Sequence, residues 1–74
     1  MVFEKIKGII VEQLGIEEDK VNLQTTFEEL GADSLDLFQV IIEIEEEFGI
    51  QLEDAEKIKK VEDAVKYVES KIEA

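Results

Sequence analysis

The chain has no cysteine, no histidine and no proline, and no hydrophobic run approaches the length that crosses a bilayer. Each absence removes a class of protein. Without cysteine there is neither a disulfide framework nor a thiolate metal site, which suits a reducing compartment. Without histidine a Ser-His-Asp triad cannot be assembled, and carboxylates are poor bases for activating an alcohol. The acidic residues do not follow the spacing of a calcium-binding loop with its central glycine, so no metal site is expected. Paired carboxylates such as Glu45 and Glu46 would stay solvated in so small a domain, where acid–base catalysis needs a perturbed environment. The chain therefore reads as a non-enzyme, with no catalytic residue. Lacking proline, repeats or a low-complexity linker, residues 1–74 read as one domain, large enough to bury roughly 60% of its unfolded surface. The first residues mix Glu4, Lys5 and Lys7 with apolar positions, unlike a secretory signal, and the protein is expected to be soluble, cytoplasmic and monomeric.

Positive charge is also scarce where it would matter most. The net charge of −12 is concentrated in residues 17–56, where fourteen acids face Lys20 alone, a net of −13. Such a field repels nucleic acid and anionic membranes and steers basic protein partners inward. A merely well-solvated acidic surface is the plainer reading of the same composition.

What is present is helical periodicity. Val2, Phe3, Ile6, Ile9, Ile10 and Leu14 fall on one stripe of a first helix that Gly15 closes, with Val11 off the stripe. Residues 16–33 carry no sustained period, only spaced apolar anchors (Ile16, Val21, Leu23, Phe27, Leu30) that should pin an ordered loop. Within it, Thr25 or Thr26 with Glu29 has the form of a capping box over a short turn. A second helix from Leu35 to Phe48 buries Leu37, Val40, Ile41, Ile44 and Phe48, with Phe38 at the border and Gly49 as its end. Leu35 and Ile42 fall on the opposite, acidic side, as a docking patch would require, although single exposed apolar residues are also common. Gln51–Ile58 suggests another short turn with Leu52, Ala55 and Ile58 inward. A last helix carries Val61, Ala64, Val65, Val68 and Ile72 inward and Tyr67 at its edge, but Lys59 and Lys60 are poor caps for its start. The expected fold is all-α: a small antiparallel bundle of three longer helices, one or two short helical turns, and a long ordered loop between the first and second helices.

The second helix opens on Gly31-Ala32-Asp33-Ser34-Leu35-Asp36. Asp33 and Ser34 are both good capping residues, so Ser34 is either a cap or an exposed hydroxyl carried on a fixed base. Lacking a base to make it a nucleophile toward substrates, such a hydroxyl is suited to being modified. A phosphate there would meet free helix amides, worth roughly 0.3–1 kcal/mol, while Asp33 and Asp36 repel it by a similar amount, so a mobile appendage is expected.

The run TTFEELGADSLD, the apolar-acidic helix ending EIEEEFGI, and DAEKI after it resemble the acyl carrier protein family, in its bacterial type II fatty-acid form, across nearly the whole chain. The resemblance implies that a separate phosphopantetheinyl transferase esterifies Ser34 with 4′-phosphopantetheine from coenzyme A. The arm's thiol would then hold growing acyl chains as thioesters for basic-surfaced fatty-acid synthesis enzymes. It also implies partner-facing positions at Asp33, Leu35, Asp36, Gln39, Ile42, Glu45 and Glu46, and an acyl-chain pocket against Phe38, Ile42 and Leu52. Three positions depart from the family pattern. Gln39 stands where many members have glutamate, the segment from Gly49 to Ala55 is shorter and lacks its proline, and Lys59-Lys60 replaces a threonine or serine cap. The rival readings are a carrier of the same fold with another cargo (polyketide, D-alanyl or aminoacyl), and a non-carrier acidic interaction module in which Ser34 is only a cap.

Overall fold

A computed structural model describes residues 2–52 and 57–72. Three α-helices account for most of them: α1 over Val2–Leu14, α2 over Ser34–Phe48 and α3 over Val61–Ile72, with one 3-10 turn at Glu18–Lys20. Among the described residues there is no strand, only an isolated antiparallel bridge between Thr26 and Lys60. The architecture is the expected small all-α bundle, with α1 packed against both α2 and α3.

The apolar stripes meet in one core. Ile6 and Ile10 from α1, Val40, Ile41 and Ile44 from α2, and Val61, Ala64, Val65 and Val68 from α3 are buried together. Val21, Phe27, Leu52 and Ile58 reach the same core from the connecting segments. Fully burying side chains of this kind contributes about 1.5–3 kcal/mol each, which is how so short a chain holds one shape. Val11, off the stripe by periodicity, is half-buried and packs on the core edge. Ile72, placed inward by the same reasoning, is exposed because α3 ends there, beyond the helices it packs on.

The loop between α1 and α2 is built from local hydrogen bonds. The Thr26–Glu29 capping box forms reciprocally: the Thr26 amide donates to Glu29 Oε1 at 3.0 Å and the Glu29 amide to Thr26 Oγ1 at 3.0 Å. Those bonds to Thr26, from its amide and its hydroxyl, hold the Glu29 carboxyl below its ordinary pKa. It closes a turn, not a helix, over residues 27–31. Val21 and Phe27 are anchors as expected, but Leu23 is exposed. Its carbonyl, not its side chain, makes the long-range contact, accepting from the Glu62 amide at 3.0 Å.

That contact explains how α3 begins on two lysines. The Val61 amide donates to Thr25 O at 2.9 Å and the Glu62 amide to Leu23 O, so loop carbonyls satisfy the first helical donors. The Lys59 and Lys60 amides both donate to Asp63 Oδ2 at 3.0 Å. Together these bonds do the work of a capping side chain. The Lys60 and Lys59 amides hold the Asp63 carboxyl below its ordinary pKa. The expected turn over Gln51–Ile58 falls partly on residues 53–56, which lie outside the described residues. Of its inward positions, Leu52 and Ile58 are buried.

Candidate functional site

The approach to α2 is set by backbone bonds. Gly31, at φ 78°, donates to Glu28 O at 3.0 Å, and Ala32 donates to Phe27 O at 3.0 Å. A side chain at residue 31 would strain this left-handed turn. The turn delivers Asp33 in extended conformation (φ −86°, ψ −175°) as the N-cap of α2. Its Oδ1 accepts from the Asp36 amide at 2.9 Å, and its carbonyl accepts from the Leu37 amide at 2.9 Å.

Capping therefore belongs to Asp33, and Ser34 is the first helical residue. Ser34 is exposed, and among the described residues nothing engages its hydroxyl. It stands at the rim of a cleft of about 520 Å³. Phe27, Leu37 and Ile58 form apolar walls of this cleft, while Glu28, Asp33 and Lys59 bring charge to it.

The positions named for partner contact share one face of α2, in part. Leu35 is 68% exposed and Ile42 44% exposed, with Gln39 and Glu46 exposed beside them. Asp33 is exposed at the same end, and Asp36 is half-buried. Glu45 is half-buried and has a structural role. Its Oε2 accepts from the Leu52 amide at 2.8 Å, and its carbonyl accepts from Ile50 at 3.1 Å past the left-handed Gly49. Sequence spacing alone could not find this bond, because it joins a helix side chain to a backbone donor in the following segment.

Phe38 is 55% exposed, which differs from its expected border position. With Leu35 and Ile42 it extends the apolar patch along α2 at spacings of three and four residues. Of the three residues named for an acyl pocket, only Leu52 is buried. The cleft at Ser34 is lined by Leu37 and Ile58 instead of Phe38, Ile42 or Leu52. Among the described helices none is long and apolar enough to cross a membrane.

A family model for the phosphopantetheine attachment site matches residues 4–68. The chain is 59% identical over 70 residues to an acyl carrier protein of Streptococcus thermophilus, covering 95% of each chain. It is 55% identical over 69 residues to an acyl carrier protein of Lactococcus lactis subsp. cremoris, covering 93% of this chain and 94% of the relative. A Streptococcus pyogenes serotype M3 acyl carrier protein is 59% identical over 70 residues, covering 95% of each. With an unencumbered serine at the head of an acidic helix and these matches over nearly its full length, the chain belongs to the acyl carrier protein family, whose cofactor is covalently bound 4′-phosphopantetheine.

Proposed function

We propose that the protein carries growing acyl chains for fatty-acid synthesis on a 4′-phosphopantetheine arm attached to Ser34. The observation that carries this reading is the division of labour at the start of α2. Asp33 Oδ1 takes the capping bond from the Asp36 amide at 2.9 Å, and among the described residues nothing engages the Ser34 hydroxyl. That removes the ground for reading Ser34 as a simple cap. The residues fit the group: an exposed hydroxyl is anchored by a fifteen-residue helix, and an open cleft beside it can take the arm. When bound, the group supplies a thiol on a long flexible arm, which holds acyl chains as thioesters. The chain has neither histidine nor cysteine, and its carboxylates are poor bases for an alcohol. As the Ser34 Oγ–phosphorus bond forms, the pyrophosphate linkage of coenzyme A breaks and 3′,5′-ADP leaves, and the Ser34 proton passes to a base supplied with the transferase.

The acidic α2 face with Leu35, Phe38 and Ile42 exposed serves as the address read by basic-surfaced partner enzymes. Charge steers the encounter, and apolar burial holds the complex. On this reading the protein works in the cytoplasm, catalysing nothing by its own residues. The test is incubation with coenzyme A, magnesium and a phosphopantetheinyl transferase, followed by intact-protein mass spectrometry. One phosphopantetheine adduct is expected on the wild type and none on Ser34→Ala; an adduct that persists in Ser34→Ala overturns the assignment.

A further inference from the structure

Lys59 and Lys60 precede α3, yet neither side chain caps it, and the structure sends the two in different directions. Lys60 Nζ reaches Gln24 Oε1 at 3.4 Å. Lys59 lines the cleft at whose rim Ser34 stands. Both backbone polar groups of Lys59 are held: its amide donates to Asp63 Oδ2 at 3.0 Å, and its carbonyl accepts from the Phe27 amide at 2.9 Å. The backbone is thus fixed at the cleft wall, while the side chain is exposed and enters no ion pair among the described residues.

The charges around the cleft give a tethered anion one favourable direction. A phosphodiester on Ser34 would carry a single negative charge next to Asp33 and Asp36 in sequence, with Glu28 also on the cleft wall. Lys59 is the cation in that lining. Attraction to the Lys59 ammonium draws the phosphate toward the cleft, and repulsion from the Asp33 and Asp36 carboxylates disfavours its resting against the start of α2. The dimethyl-substituted carbon that follows the phosphate in pantetheine would then face the apolar wall of Phe27, Leu37 and Ile58.

We propose that Lys59 is a positioning residue for the attached group: its ammonium pairs with the phosphodiester and draws the near end of the arm into the cleft. This rests on the reading of Ser34 as the attachment point. The arm is then not equally mobile in all directions, and its docked fraction falls as salt screens the pair.

The experiment loads the wild type, Lys59→Gln, Lys59→Arg and Lys60→Gln with the transferase and confirms each adduct by intact mass. No adduct on the wild type overturns the Ser34 reading, and this proposal with it. The loaded proteins are compared by ³¹P NMR at about 0.01 M and about 1 M ionic strength, where screening lengths are ~30 Å and ~3 Å. In the wild type the phosphodiester resonance should move and relax more slowly at high salt. Lys59→Gln should lower the docked population by about 1.5- to 5-fold at low salt, the range of an exposed ion pair, and weaken the salt response to what the carboxylates alone produce. Lys59→Arg should restore it, and Lys60→Gln should match the wild type. Spectra of Lys59→Gln that match the wild type at low salt overturn the proposal. So does an equal loss in Lys60→Gln, which would trace the effect to the general field and not to Lys59.

Discussion

Replacing Asp33 tests whether capping and recognition at the serine are separable. Asp33 Oδ1 accepts from the Asp36 amide at 2.9 Å, a side-chain bond that closes the start of α2. Ala at an N-cap costs about 0.5–2 kcal/mol, typically ~1, whereas Asn caps about as well as Asp. In a domain of this size 1 kcal/mol moves the melting temperature by roughly 4–8 °C. Asp33→Ala should therefore melt about 4–8 °C lower, and Asp33→Asn should melt close to the wild type. Both variants remove one charge from a chain of net −12, which slightly stabilises them by easing self-repulsion. Melting in about 1 M salt screens that effect and isolates the cap. The second assay is the loading rate at Ser34. If the transferase reads the charge, Asp33→Asn should load more slowly at low salt despite its intact fold. Asp33→Ala melting with the wild type in high salt would refute the cap assignment. Asp33→Asn loading at the wild-type rate would show that its charge is not read.

Further expectations concern the rest of the acidic helix and the start of α3. Glu46→Lys should slow loading with little effect on melting, because Glu46 is exposed; Glu45→Ala should lower the melting temperature, because Glu45 accepts from the Leu52 amide at 2.8 Å. Unchanged loading of Glu46→Lys would move the docking surface to another face. Asp63→Ala should destabilise by about 1 kcal/mol, because the Lys59 and Lys60 amides lose their shared acceptor, Oδ2. The folded-state pKa of Asp63 lies below its ordinary value of 3.8, so this contribution is fully present above that value and is lost as pH falls through the folded pKa. The gap in stability between wild type and Asp63→Ala, followed by denaturant titration, should be flat above about pH 5 and close in stronger acid; a gap that widens on acidification contradicts the assignment. With a net charge of −13 over residues 17–56, the wild-type melting temperature should rise with added salt, and a flat response would exclude self-repulsion as a significant term.

Much of this protein is legible in one dimension because the determining interactions are local. Helix stripes, the glycines that end α1 and α2, the Thr26–Glu29 box and the aspartate–serine start of α2 all depend on residues within about four positions of one another. Composition removes chemistry that needs an imidazole or a thiol from this chain's own side chains, since no folding can supply either. The sequence also narrowed Ser34 to cap or attachment point, and named the acidic face with Leu35 and Ile42 turned outward. Tertiary structure decided the rest. Beyond the local Asp63 bonds, the start of α3 after two lysines is completed by loop carbonyls of Leu23 and Thr25, nearly forty residues away in sequence, which accept its first amides. Glu45, expected on the outer face of α2, accepts from the Leu52 amide, and Phe38, expected at the border, is exposed beside Leu35 and Ile42. The cleft that Ser34 and Lys59 both line exists only where the loop, α2 and the segment before α3 converge. Local periodicity says which way a side chain points from its own helix; only the packing of elements says what it will meet.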